Sequence, residues 1–110
     1  MAEERAAVFC NGKRAGLLIK KETGYEFIYD GGYLSDPQAA AISLAMPLRE
    51  QKYVSRELFP FFDGLLPEGW LLDLTCAAAK IDKNDKYRLL LHTGQDPVGA
   101  VGILPLERAP

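Results

Sequence analysis

Apolar and polar residues alternate through the first thirty positions, and that period of two predicts a β-meander. The run Ala6-Ala7-Val8-Phe9-Cys10 leads into Asn11-Gly12, and a second apolar run follows in Lys13–Lys21. Asn-Gly between two such runs is a strong short-range hairpin signal, because both central residues of a type I′ turn need φ > 0. Thr23-Gly24 marks the next turn. Tyr25, Phe27 and Tyr29 then alternate with Glu26 and Ile28, and Asp30-Gly31-Gly32 closes the strand. Gly16, inside the second strand, predicts a bulge or a close backbone contact.

A polar connection through Ser35-Asp36-Pro37 comes next. Ile42, Leu44 and Met46 would share one face of a strand that Pro47 ends, and Tyr53-Val54 suggests another short strand. The period then changes. Pro60 suits the first position of a short helix, where its missing N–H is not needed, with Phe61, Phe62, Leu65 and Leu66 as its apolar face. After Pro67, residues Glu68 to about Lys80 predict the main helix, with Leu71, Leu74, Ala78 and Ile81 at roughly helical spacing. Glu68 near its start and Lys80 near its end suit the helix dipole. A third helix is expected from an N-cap at Asp82 or Asn84 to Gly94, burying Tyr87, Leu90 and Leu91. Val98 to Pro105 predicts a strand returning to the sheet. The expected fold class is α+β: a mostly antiparallel sheet, formed by the N-terminal meander and the C-terminal strand, with about three helices packed on it. Residues 1–110 show no internal repeat or linker and are expected to form one domain.

Composition narrows the function classes. The chain has 110 residues, 48% apolar and 25% charged, which predicts a globular fold and not disorder. Thirteen basic residues are scattered among fifteen acidic ones, for a net charge of −2. That is not the electrostatic footprint of a nucleic-acid binder, so no direct nucleic-acid contact is expected. The acidic start Met1-Ala2-Glu3-Glu4 lacks the apolar stretch of a signal peptide. No run approaches the roughly 18 apolar residues of a membrane span. The expectation is a cytoplasmic protein with no membrane partner, whose Cys10 and Cys76 are free thiols, a disulfide between them being the less favoured alternative.

Reactive constellations are missing. There is no G-x-G-x-x-G, no G-x-x-x-x-G-K-[ST] and no G-x-S-x-G. A single histidine, His92, is too little for a His-based metal site, and its place near a helix end is explained by the dipole. The carboxylate pairs Glu68/Asp73 and Asp82/Asp85 read as helix caps. No catalytic residue, metal or cofactor is therefore expected. Two segments stand out. Phe61–Trp70 ends in a Pro67-Glu68-Gly69-Trp70 turn, in which Pro fixes one φ angle and Gly relaxes another. Its Trp70, the sole tryptophan, either folds into the core or stands exposed as an anchor of the residue type most enriched in interface hot spots. Gly94–Val101 reads as a helix-to-strand loop, the alternative role being to hold that turn or meet a partner's backbone.

The order of four motifs resembles the N-terminal subdomain of HipA toxins. They are Asn11-Gly12-Lys13-Arg14, then Ile42-Ser43-Leu44-Ala45-Met46-Pro47-Leu48, then Phe61-Phe62-Asp63-Gly64-Leu65-Leu66-Pro67-Glu68, then Gly94-Gln95-Asp96 with Val98-Gly99-Ala100-Val101. The resemblance runs from about Ala6 to Pro105. HipA proteins carry a protein-kinase-like core after this subdomain, and the present sequence stops at Leu106-Glu107-Arg108-Ala109-Pro110, about where that core begins, so no kinase residue carries over. Some systems of this family are split into a HipB-like helix-turn-helix protein, a small HipS-like protein matching this subdomain, and a shortened kinase toxin, HipT. In these the small protein is the antitoxin. The toxins of this family phosphorylate aminoacyl-tRNA synthetases and halt growth.

The resemblance implies a HipS-like antitoxin, not an enzyme, whose partner is a HipT/HipA-like Ser/Thr kinase toxin, with a HipB-like protein as a possible further partner. The expected docking surface is Pro67, Glu68, Gly69, Trp70 and Asp73, with Trp70 filling an apolar pocket and Glu68 or Asp73 meeting a Lys or Arg. The alternative is a structural subdomain or fragment that supports kinase folding or HipB binding without inhibition.

Overall fold

A computed structural model of the chain describes residues 3–94 and 101–106. Five strands form one antiparallel sheet: β1 (Glu4–Cys10), β2 (Lys13–Lys21), β3 (Gly24–Tyr29), β4 (Tyr53–Ser55) and β5 (Val101–Pro105), in the order β4-β3-β2-β1-β5. Four helices accompany it: α1 (Gly31–Leu34), α2 (Pro60–Asp63), α3 (Gly69–Ala79) and α4 (Lys86–Gly94). The chain is thus α+β, with the C-terminal strand returning to the sheet beside β1.

The meander forms for the reasons its sequence gives. Asn11 (φ 52°) and Gly12 (φ 81°) are both left-handed, as a type I′ turn requires, and the hairpin closes with Cys10 opposite Lys13. The next turn is Glu22-Thr23, one residue earlier than expected, and Gly24 already belongs to β3. Gly16 meets both expectations. The β1–β2 register shifts between Val8 and Phe9, leaving Ala15 unpaired, and a Cβ at Gly16 would lie 2.2 Å from the Ile28 carbonyl oxygen. Only a residue without a side chain lets β3 approach here.

One sheet face is the core. Val8, Leu18 and Phe27 point into it from three neighbouring strands, with Ile103 opposite Val8 on β5. Phe62 from α2 lies 5.9 Å from Phe27, ring centre to ring centre, and Tyr87 of α4 lies 6.3 Å from Tyr25. Tyr87, Leu89 and Leu90 are fully buried, while Leu91 of the expected stripe is half-buried. The opposite face carries Ala7, Phe9, Leu17, Ile19 and Ile28, which belong to no part of that core cluster and remain half-shielded apart from buried Ala7.

Three expectations fail, each for a local reason. Residues Ile42 to Met46 are not a strand: the Met46 N–H bonds to the Ser43 carbonyl (3.0 Å), and the Ser43 hydroxyl accepts from the Ala45 N–H (3.1 Å). The chain doubles back at Leu44-Ala45, so Ile42 and Met46 are buried while Leu44 is wholly exposed. The Tyr29 hydroxyl accepts from the Ile42 N–H (3.1 Å) and donates to the Met46 carbonyl, closing the mouth of this turn. Tyr33 secures the Ala40 peptide and Tyr53 the Pro47 carbonyl in the same manner. Secondly, Gly31 and Gly32 do not merely end β3. They open α1, which carries Tyr33 into a stacked contact with Tyr29 at 6.2 Å. Thirdly, the cap of α4 is Asp85, whose carboxylate accepts from the Arg88 N–H (3.2 Å), whereas Asp82 shapes the preceding turn by accepting from the Asn84 N–H (2.8 Å). The N-terminal part of the expected strand Val98–Pro105 lies outside the described residues.

Three substitutions test this account through urea midpoints at constant m. Gly16→Ala should cost about 2–3 kcal/mol, since the added methyl meets backbone, whereas Gly31→Ala, where nothing lies within 4 Å, should stay within about 0.5 kcal/mol of the parent. Tyr29→Phe should cost about 1–3 kcal/mol by leaving the Ile42 N–H and Met46 carbonyl without their partner.

Candidate functional site

The expected docking residues lie at the start of α3. Pro60 opens α2 as expected, and Gly64 ends it with its N–H bonded to the Pro60 carbonyl (2.9 Å). The chain then passes through Leu65, Leu66 and Pro67 to Glu68, the N-cap of α3, whose side chain makes no capping hydrogen bond. Gly69 takes φ +57° and sets the direction of the helix. Lys80 ends it in the left-handed conformation (φ 58°, ψ 46°), with the Ile81 N–H bonded to the Cys76 carbonyl at 3.0 Å.

Trp70 is 75% exposed, which decides between its two expected places in favour of the surface. It does not stand alone. Leu65 (42%), Leu71 (47%) and Leu74 (56%) are also exposed, and Ala78 continues the row. Residues 70, 74 and 78 are one helical turn apart, as are 71 and 74, so Trp70, Leu71, Leu74 and Ala78 form one stripe on α3. Leu71, Leu74 and Ala78, whose spacing predicted the helix, lie on its exposed side. The inner stripe is Leu72, Thr75, Cys76 and Ala79, all half-buried, and no residue of α3 is fully buried. The helix is apolar almost all round, so spacing alone cannot say which face turns inward. The signal available in the sequence was the near absence of charge: Asp73 is the only charged residue in Gly69–Ala79.

That charge is already engaged. Asp73 accepts from Lys83 Nζ at 3.0 Å, and the hydrogen bond raises the lysine pKa above its ordinary value. Asp63 and Lys86 make a second exposed pair at 3.0 Å, joining α2 to α4. Of the two expected anionic contacts, Glu68 is therefore the exposed group without a capping bond, while Asp73 would have to exchange its partner. Cys76 is half-buried, Cys10 is buried, and both are free thiols. Gln95 to Ala100, the centre of the second segment singled out in the sequence, lies outside the described residues. Among the described residues no three His, Cys, Asp or Glu side chains gather as a metal site, and no helix is long and apolar enough to cross a membrane. What the site offers is shape and apolar area.

A family model described as the HipA N-terminal domain matches residues 6–104. The chain belongs to this family. Its similarity to an uncharacterized protein of Haemophilus influenzae (strain ATCC 51907 / DSM 11121 / KW20 / Rd) is 38% identity over 96 residues, 87% of each chain. The putative kinase Y4mE of Sinorhizobium fredii (strain NBRC 101917 / NGR234) is 31% identical over 104 residues. They make up 94% of this chain but 25% of that one, so this HipA N-terminal domain spans about a quarter of the kinase relative. A solved N-terminal domain of HipA toxin superposes with a TM-score of 0.73 at 32% identity, over 96% of this chain and 95% of that one. The similarity to known proteins thus reaches the HipA N-terminal domain and no kinase domain.

The exposure of the stripe has two measurable consequences. In the free chain, Trp70 fluorescence should be solvent-like and quenched by iodide nearly as freely as after unfolding. Trp70→Ala should shift stability by no more than about 0.5 kcal/mol, whereas Phe62→Ala, in the core, should cost about 3–5 kcal/mol in the same urea titration.

Proposed function

We propose that this HipA N-terminal domain is an antitoxin-type binding module, comparable to a HipS-like protein, that docks on a HipT/HipA-like Ser/Thr kinase toxin and neutralises it. The observation that carries the reading is the exposed apolar stripe of α3 with Trp70 at its head. Isolated apolar residues on a surface need no explanation, but a contiguous set on one helix marks an interaction surface. A tryptophan in the first turn of a helix that carries it at the surface is an anchor of the type enriched in interface hot spots, and Pro67 restrains the chain leading to it. The relatives support this partner class: in the putative kinase a similar domain is one part of a much longer chain, and in this reading the partner is a separate kinase-type protein.

Docking would act without chemistry. Trp70, Leu71 and Leu74 enter an apolar pocket beside the kinase site, Glu68 meets a cationic side chain, and the complex favours an inactive population of the kinase. The module is not an enzyme in this reading, needs no cofactor, and works in the cytoplasm, with a HipB-like protein as a further partner of the assembly. A second reading has its own support: the structural match is to the N-terminal domain of a HipA toxin itself. The chain would then assist folding or HipB binding without inhibiting.

Co-expression with the cognate toxin separates the two. Growth rescue supports the antitoxin, and binding without rescue supports the structural role. Trp70→Ala, verified as folded, should weaken the complex by about 2 kcal/mol or more, roughly 30-fold in Kd by titration calorimetry, and should lose rescue. Unchanged affinity and rescue in that variant would remove Trp70 from the mechanism.

A further inference from the structure

Every other helix of the domain is nailed down by at least one buried side chain: Tyr33 in α1, Phe62 in α2, and Tyr87, Leu89 and Leu90 in α4. α3 has none, although it is the longest helix of the four. The core cluster and the half-buried hydrophobics packed against it include Leu66 before α3 and Tyr87 after it, but no residue from 67 to 86. The helix is therefore joined to the domain by its inner stripe, by the exposed Asp73–Lys83 pair, and by its two ends.

Those ends are alike. Gly69 at φ +57° and Lys80 at φ 58° bracket the helix, each a single residue where the chain changes direction. Large rearrangements are absorbed at such element-terminal positions. Between them, Gly69–Ala79 has no polar face beyond Asp73. A helix hydrophobic all round is stable when enclosed, and here the domain encloses only one side.

We propose that α3 is a strap: a helix that swings out as a unit about Gly69 and Lys80 and uncovers Leu72, Thr75, Cys76 and Ala79, while the β-sheet core stays intact. The swing breaks few contacts, and elements with few buried contacts are those that open below the global unfolding free energy. If the docking proposed above is correct, the swing lets a partner groove close on both apolar stripes, the helix-in-groove mode of recognition. The strap itself does not depend on that docking.

The two cysteines of the native chain report on it directly. Cys76 lies on the inner stripe, and Cys10, buried in the sheet core, is the reference for opening of that core. The free chain is labelled with a bulky aromatic disulfide reagent, with rates taken per thiolate from the pH profile. Cys76 should react at least about 100-fold faster than Cys10, at a rate flat in low urea, while the Cys10 rate climbs with urea as unfolding does. Asp73→Asn, which removes the tether, should speed Cys76 several-fold and leave Cys10 and the far-ultraviolet helical signal unchanged. Two results would overturn the strap: Cys76 following Cys10 through urea, or Cys76 reacting at the rate of a free thiol irrespective of Asp73. No partner is present in the experiment, so failure of kinase docking and failure of the strap are read separately.

Discussion

The packing of Phe62 and Tyr87 onto the inner face of the meander decides where everything else can go. Phe62 approaches Phe27 from α2, Tyr87 approaches Tyr25 from α4, and the turn closed by Tyr29 brings Ile42 and Met46 onto the same surface. These parts fill the core, and a sheet face of this size takes only so many side chains at interior density. α3 connects α2 to α4 but finds no place left on the core, so it rides outside with one stripe half-covered and the other bare. The exposure of Trp70 is thus a consequence of how the core is filled, not of any polarity in the helix that carries it.

Energetics give that exposure its meaning. Fully burying a large apolar side chain stabilises by about 1.5–3 kcal/mol. Leu65, Trp70, Leu71 and Leu74 are partly exposed, so burying the rest of them would contribute on the order of several kcal/mol. Domains of this size are stable by only about 5–15 kcal/mol in total. A comparable free energy is therefore left unused in the free chain and is open to a partner. Part of it is offset by the loss of rotational and translational freedom on association. Pro67, whose ring fixes its φ, restrains the chain that enters the helix and limits part of the remaining cost.

Where conformation is dictated by a residue's own backbone or by pairing of neighbours, the sequence was readable. Asn11-Gly12 allowed one tight turn, Gly16 could only be a place of close approach, and Pro60 could only begin a helix. The alternation of Tyr25, Phe27 and Tyr29 could be satisfied only by a strand with its aromatic side inward. Legibility ended where tertiary contacts choose between locally equal options. Ile42 to Met46 alternates well enough for a strand, but a single tyrosine hydroxyl, 13 residues away from Ile42, bends it into a turn. In α3 the stripes 71/74/78 and 72/75/76/79 are nearly equal in apolarity, and only the filling of the core selects the inner one. The position of the candidate site was legible because Pro67, Gly69 and Trp70 are unusual residues. Its extent was not, because leucines on a helix are expected inside.

Charge plays a smaller part in this surface than the sequence suggests. Asp73 is the one ionised group on α3, and its exposed pairing with Lys83 is of the kind that contributes about 1 kcal/mol or less. To serve a partner it would first have to leave that lysine, so the net electrostatic gain on docking would be smaller still. Glu68 carries no such cost, but it stands at the edge of the stripe, where water and salt screen it. An encounter built on these groups would owe its strength to apolar area and its orientation to one carboxylate. Such a surface tolerates changes in salt far better than the loss of a single indole ring.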